Sequence, residues 1–153
     1  MNMIHFSLMM FAGFLISISV SVMLEVPRNL ILKNGFIGIL AEVVYELAIV
    51  HNTVPVSVFL ACLAVTLVSH VFARKFKAPV TVFCIPVFFI FVPGTAIYQM
   101  TFYVIQANPD MATKALFDLL NIAGAVALGV FLSDSLVHIF YTVKYKLAAK
   151  KGV

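Results

Sequence analysis

Charge is scarce in this chain: only 10% of its 153 residues are Asp, Glu, Lys or Arg, and ten basic against six acidic residues leave a net charge of +4. The basic excess lies in turns and in the C-terminal tail. That is the pattern of a cytoplasmic membrane face rather than of a nucleic-acid surface, and no nucleic-acid partner is expected. Cysteine is nearly absent. Cys62 and Cys84 both sit inside apolar segments, which argues against a structural disulfide or a metal site and for two small buried side chains. The sequence holds no nucleotide-binding glycine loop, no His/Cys/Asp/Glu cluster at metal-ligand spacing and no nucleophile elbow, so neither an enzyme nor a cofactor is indicated. It also has no stretch polar enough to fold as a separate aqueous domain. What it has instead is 63% hydrophobic residues and a mean hydropathy of +1.13. This is the composition of an integral membrane protein, read as one membrane domain over residues 1–153.

The most unusual stretch is Pro79 to Gln106, PVTVFCIPVFFIFVPGTAIYQMTFYVIQ. As a straight helix it reaches ~40 Å, beyond the ~30 Å of a bilayer core, and Pro86 and the pair Pro93-Gly94 interrupt it. Proline supplies no N–H and frees the carbonyl one turn back, here at Val82 and Phe89, and in hydrocarbon those oxygens must find partners. A helix broken at membrane depth usually lines a cavity, whereas the plainer alternative is a kinked span with no ligand. If the helix restarts at Pro93, the N–H groups of Gly94, Thr95 and Ala96 point at that cavity and make it attractive to anions. Thr95, Gln99, Tyr103 and Gln106 recur at helical spacing as one polar stripe.

Around this segment the hydropathy pattern predicts an all-α membrane protein, a bundle of about five transmembrane helices with the fourth broken at Pro93-Gly94. The spans are expected near 3–24, 36–50, 54–73, 79–106 and 112–143. The first apolar segment has no Lys or Arg before it and no small-x-small cleavage site, so it reads as a retained span. Glu25 to Gly35 is expected to be a turn in which Pro27 can open a helix. The last helix, Met111 to Lys144, would be ~50 Å long, so its first turns are placed at the interface and the tail from Lys144 to Val153 is expected to fray. With five spans, nine of the ten Lys and Arg residues share one side and Lys114 alone lies on the other. The chain is therefore expected in the cytoplasmic membrane with its N-terminus outside and its C-terminus in the cytoplasm.

Glu42 and Glu46 share a face of the second span with Gly35 and Gly38. Acidic groups facing lipid are strongly disfavoured, so this face belongs against another helix or a wet cavity. Two carboxylates one turn apart in low dielectric repel each other when both are charged, and one of them can load and unload a proton. Equally, both can be permanently protonated or paired with a partner's basic group. Asp118 and Asn121, three apart on the last helix, can line the outer end of a solute pathway, although an interfacial helix start explains Asp118 as well. Asp134 and His138 are spaced for an ion pair within the helix. His70 reads as an interfacial residue, and Ala125 with Gly129 as a small-xxx-small contact.

Three stretches, VPRNLILKNGFIGILAEVVYELA, PVTVFCIPVFFIFVPGTAIYQM and LLNIAGAVALGVFLSD, together give the chain a family likeness. It resembles the C-terminal half of the threonine/serine exporter family, and in particular its short stand-alone subunits. The most specific piece is IPVFFIFVPGTAIY, and the likeness extends over essentially the whole chain. The resemblance implies export of threonine and serine, or in split two-subunit systems of dicarboxylates such as succinate, driven by the proton gradient. It implies a larger membrane subunit of the same family as partner, the bilayer as surroundings and a small carboxylate or amino-acid solute as cargo. On the residues that match the family pattern it places function at Pro86, Pro93, Gly94 and Tyr98. Glu42 and Glu46 match no family motif. An accessory or assembly subunit that shapes a partner transporter without touching solute is the alternative.

Overall fold

The computed structural model describes residues 3–151, and all of its regular structure is helical. Helix α1 is Met3–Met23, α2 Arg28–Ile49, α3 Val54–Phe76 and α4 Thr81–Phe88. A 3-10 turn, Phe89–Phe91, leads to α5, Gly94–Ile105, and α6 is Pro109–Lys151. Three of these helices, α1, α3 and α6 as far as Lys144, are long and apolar enough to cross a membrane. The pair from Thr81 to Phe91 and from Gly94 to Ile105 passes the same test together and is bent by 46°. Helix α2 carries its charges at the start and two glutamates further on. At 22 residues it still spans ~33 Å, so the bundle accommodates about five crossings.

Three of the helix junctions use the same backbone device. Glu25, Lys77 and Ala107 take left-handed φ values of 54°, 53° and 52° after α1, α3 and α5. The next residue's N–H then reaches back to the carbonyl five positions earlier: Val26 to Ser21, Ala78 to Ala73 and Asn108 to Tyr103, each at 3.0 Å. These are Schellman closures. A proline follows each left-handed residue two positions on (Pro27, Pro79, Pro109), so every outgoing helix starts where a missing N–H costs nothing. Because Pro27 starts the next helix at once, α2 begins at Arg28 and the expected turn up to Gly35 is helical. Pro86 does not break its helix either, since α4 runs through it to Phe88. At the far end α6 continues past Lys144 to Lys151, and Gly152 and Val153 of the tail lie outside the described residues.

Small residues set the packing. On α1, Gly13, Ser17 and Ser21 are the buried positions, four residues apart, and they face Glu42, Gly38 and Asn34 of α2. A Cβ at Gly13 would come within 2.9 Å of the Gly38 carbonyl oxygen, and one at Gly38 would strike the Ser17 hydroxyl and the Gly13 carbonyl. The helices are therefore in backbone contact, as in small-xxx-small pairs in membranes. The seam between α3 and α6 repeats the pattern with Ala125, Gly129 and Ser133. A Cβ at Gly129 would lie 2.9 Å from the Phe59 carbonyl oxygen, and the Ser133 hydroxyl contacts the carbonyl oxygens of Gly129 at 2.8 Å and Leu63 at 3.1 Å. Helix α4 wedges among α1, α2 and α3 and buries Phe83, Cys84, Pro86 and Val87. Helix α5 differs: it packs principally on α6, and Ala96 is its one buried residue.

Candidate functional site

The carbonyl freed by Pro86 does find a partner. Asn34, fully buried on α2, donates from Nδ2 to the Val82 carbonyl oxygen at 2.9 Å and contacts the Ser21 hydroxyl at 2.9 Å, while that hydroxyl donates to the Ser17 carbonyl at 2.6 Å. One amide thus ties α1, α2 and α4 together and satisfies backbone that hydrocarbon could not. The second freed carbonyl, Phe89, accepts the Val92 N–H at a long 3.4 Å. At the break itself Pro93 has φ −77° and ψ 55°, and the Gly94 N–H donates to the Val92 carbonyl at 2.7 Å. This is an inverse γ-turn. Pro93 consequently caps α5 from outside, and the Gly94 N–H, expected to face a ligand, is already used. The first helical bond runs from the Ile97 N–H to the Pro93 carbonyl at 3.0 Å, so Thr95 and Ala96 lie in the first turn, where N–H groups have no intrahelical acceptor.

Beside this turn lies a cavity of about 340 Å³ to which α1, α2, α3, the broken segment and α6 all contribute. Pro93, Gly94, Thr95 and Ala96 form one wall, Glu42, Tyr45 and Glu46 of α2 another, and Met9, Val58 and Ile122 help close it. The Tyr45 ring packs on Phe91 at 6.0 Å between centroids, which fixes α2 against the segment just before the break. Glu42 and Glu46 are 8% and 9% exposed, and no cation pairs with either among the described residues. Two unpaired carboxylates and the amino end of a half-helix therefore share one pocket.

The other expected site residues lie elsewhere. Pro86 is buried in α4 and does not line the cavity. Tyr98 is 67% exposed and stacks on Phe102, and Gln99 and Asp118 are exposed away from the pocket. Asn121 lines a separate apolar recess of about 360 Å³ between α3 and α6. The expected Asp134–His138 pair within α6 does not form. Asp134 Oδ1 lies 2.6 Å from His70 Nε2 instead, because the close α3–α6 seam brings His70 within reach across the helices. Asn34 and Tyr45 were not anticipated. Asn34 stands one turn before Gly38 on the face that leads to Glu42 and Glu46, but it falls in the stretch expected to be a turn.

A multi-pass bundle with a discontinuous helix whose half-helix end opens on a charged cavity is a transporter architecture. The family model described as Threonine/Serine exporter, ThrE, matches residues 9–136, and the chain belongs to that family. It is a membrane transport protein of an amino-acid export family, not a member of an enzyme family. No curated protein matches the chain, and no solved structure matches it.

Proposed function

We propose that the chain is one subunit of a proton-coupled exporter of small carboxylate solutes and that the Glu42/Glu46 cavity is its solute and proton site. The observation that carries this reading is the meeting of both glutamates with Pro93-Gly94-Thr95-Ala96 in one pocket. A zwitterionic amino acid matches the arrangement: its carboxylate accepts from the Thr95 and Ala96 N–H groups while its ammonium meets a glutamate. A dicarboxylate such as succinate would instead bring two negative charges to a pocket that already holds two acidic groups. Threonine and serine are therefore favoured over succinate as cargo. Coupling follows from competition, since a glutamate that holds a proton cannot also hold the solute's ammonium, and exchange of one for the other links the two fluxes. The distribution of basic residues supports placement in the cytoplasmic membrane with the C-terminus inside, and a reporter fused after Lys77 should then read as cytoplasmic. An external signal there would reverse the orientation.

The test is threonine efflux from cells carrying Glu42→Gln, Glu46→Gln or both. At least one single variant should lose efflux driven by the pH gradient, because glutamine mimics the protonated group and cannot exchange it. If both variants and the double variant keep wild-type dependence on the gradient at normal membrane levels, the coupling site lies elsewhere.

A further inference from the structure

A second charged cavity, of about 620 Å³, opens at the opposite end of the α3–α6 seam. His70 and Arg74 of α3 and Asp134, Ser135 and His138 of α6 supply its polar wall, with Phe131 below them. Asp134 is its one carboxylate, and His70 already engages it. Arg74 has no acidic partner among the described residues. Its guanidinium lies over the Tyr141 ring. A cation–π contact does not consume the guanidinium N–H groups as hydrogen-bond donors, and their planar fork matches a phosphate. His138, one turn beyond Asp134 and exposed, is a second donor on the same wall.

Depth and polarity narrow the ligand. Arg74 stands ~3 Å and His70 ~9 Å along the helix axis from the end of α3 at Phe76, which is headgroup level, and Lys75 and Lys77 continue the basic rim. Toward the bilayer centre the same stretch of α6 turns apolar and open, with Phe131 at 70% and Leu128 at 62% exposure. Basic groups above and uncovered apolar side chains below fit an amphiphile better than a free solute, and anionic headgroups are attracted to such pockets at the cytoplasmic face. We infer that this cavity binds the phosphate of an anionic phospholipid, with Arg74 as the forked donor, His138 as the second donor and the acyl chains lying along Phe131 and Leu128.

The inference rests on the orientation proposed above only for its leaflet, so its test is independent of orientation. The full chain is placed in nanodiscs of phosphatidylcholine alone or mixed with phosphatidylglycerol, where both leaflets are alike, and thermal unfolding and retained lipid by native mass spectrometry are read. Phosphatidylglycerol should raise Tm and stay bound to the wild type. Arg74→Gln and the exposed His138→Gln should each reduce the shift and the retained lipid, whereas Lys33→Gln, which removes one basic charge outside the cavity, should keep both. Equal losses in all three variants would mean general surface attraction and overturn the site. Full stabilisation by soluble glycerol phosphate would make it an anion site rather than a lipid site. A shift from threonine in plain phosphatidylcholine, with none from phosphatidylglycerol, would make it a solute site and overturn the lipid assignment.

Discussion

Glycine serves two different purposes in this chain, and space rather than backbone angle separates them. A Cβ on Gly38 would run into the Gly13 carbonyl, a backbone atom that cannot turn aside, whereas a Cβ on Gly94 would meet nothing within 4 Å. Gly38→Ala is therefore expected to push α1 from α2 and lower stability by ~1–3 kcal/mol, the range for overpacking a tight contact. Gly94→Ala should leave Tm unchanged, and Gly94→Leu should keep the fold while filling the pocket and abolishing efflux. Thermal unfolding of the three variants beside threonine efflux checks this, and a destabilised Gly94→Ala would contradict the open geometry at the break. The small and acidic character of the α2 face was legible from Gly35, Gly38, Glu42 and Glu46. What the pattern could not give is which residue each of them meets. The pairing of Asn34 with the Val82 carbonyl joins positions 48 residues apart, and periodicity within one helix carries no information across that distance.

At the level of elements, the break before Gly94 was readable because Pro-Gly inside an apolar run has few other meanings, and the structure places the bend there. Pro86 does not end α4, and Asn34 supplies the donor that the Val82 carbonyl loses there, a contact from another helix that the local pattern cannot show. The junctions after α3 and α5 fall where the expected spans 54–73 and 79–106 end, and only the stretch from Glu25 to Gly35, expected as a turn, is mostly helix. Glutamate, lysine and alanine at left-handed positions give no sequence signal, since glycine is the residue that usually marks them. Relief of the left-handed strain, roughly 1–2 kcal/mol, exceeds the extra freedom glycine has when unfolded, roughly 0.4–1 kcal/mol. Ala107→Gly should therefore stabilise the α5–α6 junction by about 0.5–1 kcal/mol, visible as a higher Tm. A lower Tm would show that the alanine methyl makes contacts worth more than the strain.

Taken whole, the molecule is unevenly packed. Pro55, at the start of α3, meets α6 near Leu120 and Asn121, so the twelve residues of α6 before that point extend ~18 Å with little beside them but α5. This hairpin carries exposed Gln99 and Asp118 among exposed Tyr98, Val104 and Phe117. Lipid can cover the apolar side chains, but a carboxylate with no ion-pair partner among the described residues and an exposed amide favour protein or water over hydrocarbon. The cavity shares the imbalance, because its glutamates have no cationic partner among the described residues. Alternating access in repeat-built transporters requires a second bundle to rock against, and the five crossings form only one. The hairpin and the cavity mouth are thus the surfaces on which we expect the proposed larger subunit to dock. The chain purified alone and reconstituted in liposomes under an imposed pH gradient should carry no threonine or serine flux. Co-reconstitution with the partner subunit should restore it, and an Asp118→Lys change on the hairpin should weaken the pair without unfolding the chain. Robust flux from this chain by itself would refute the half-transporter reading and leave the exposed hairpin to be explained by self-association.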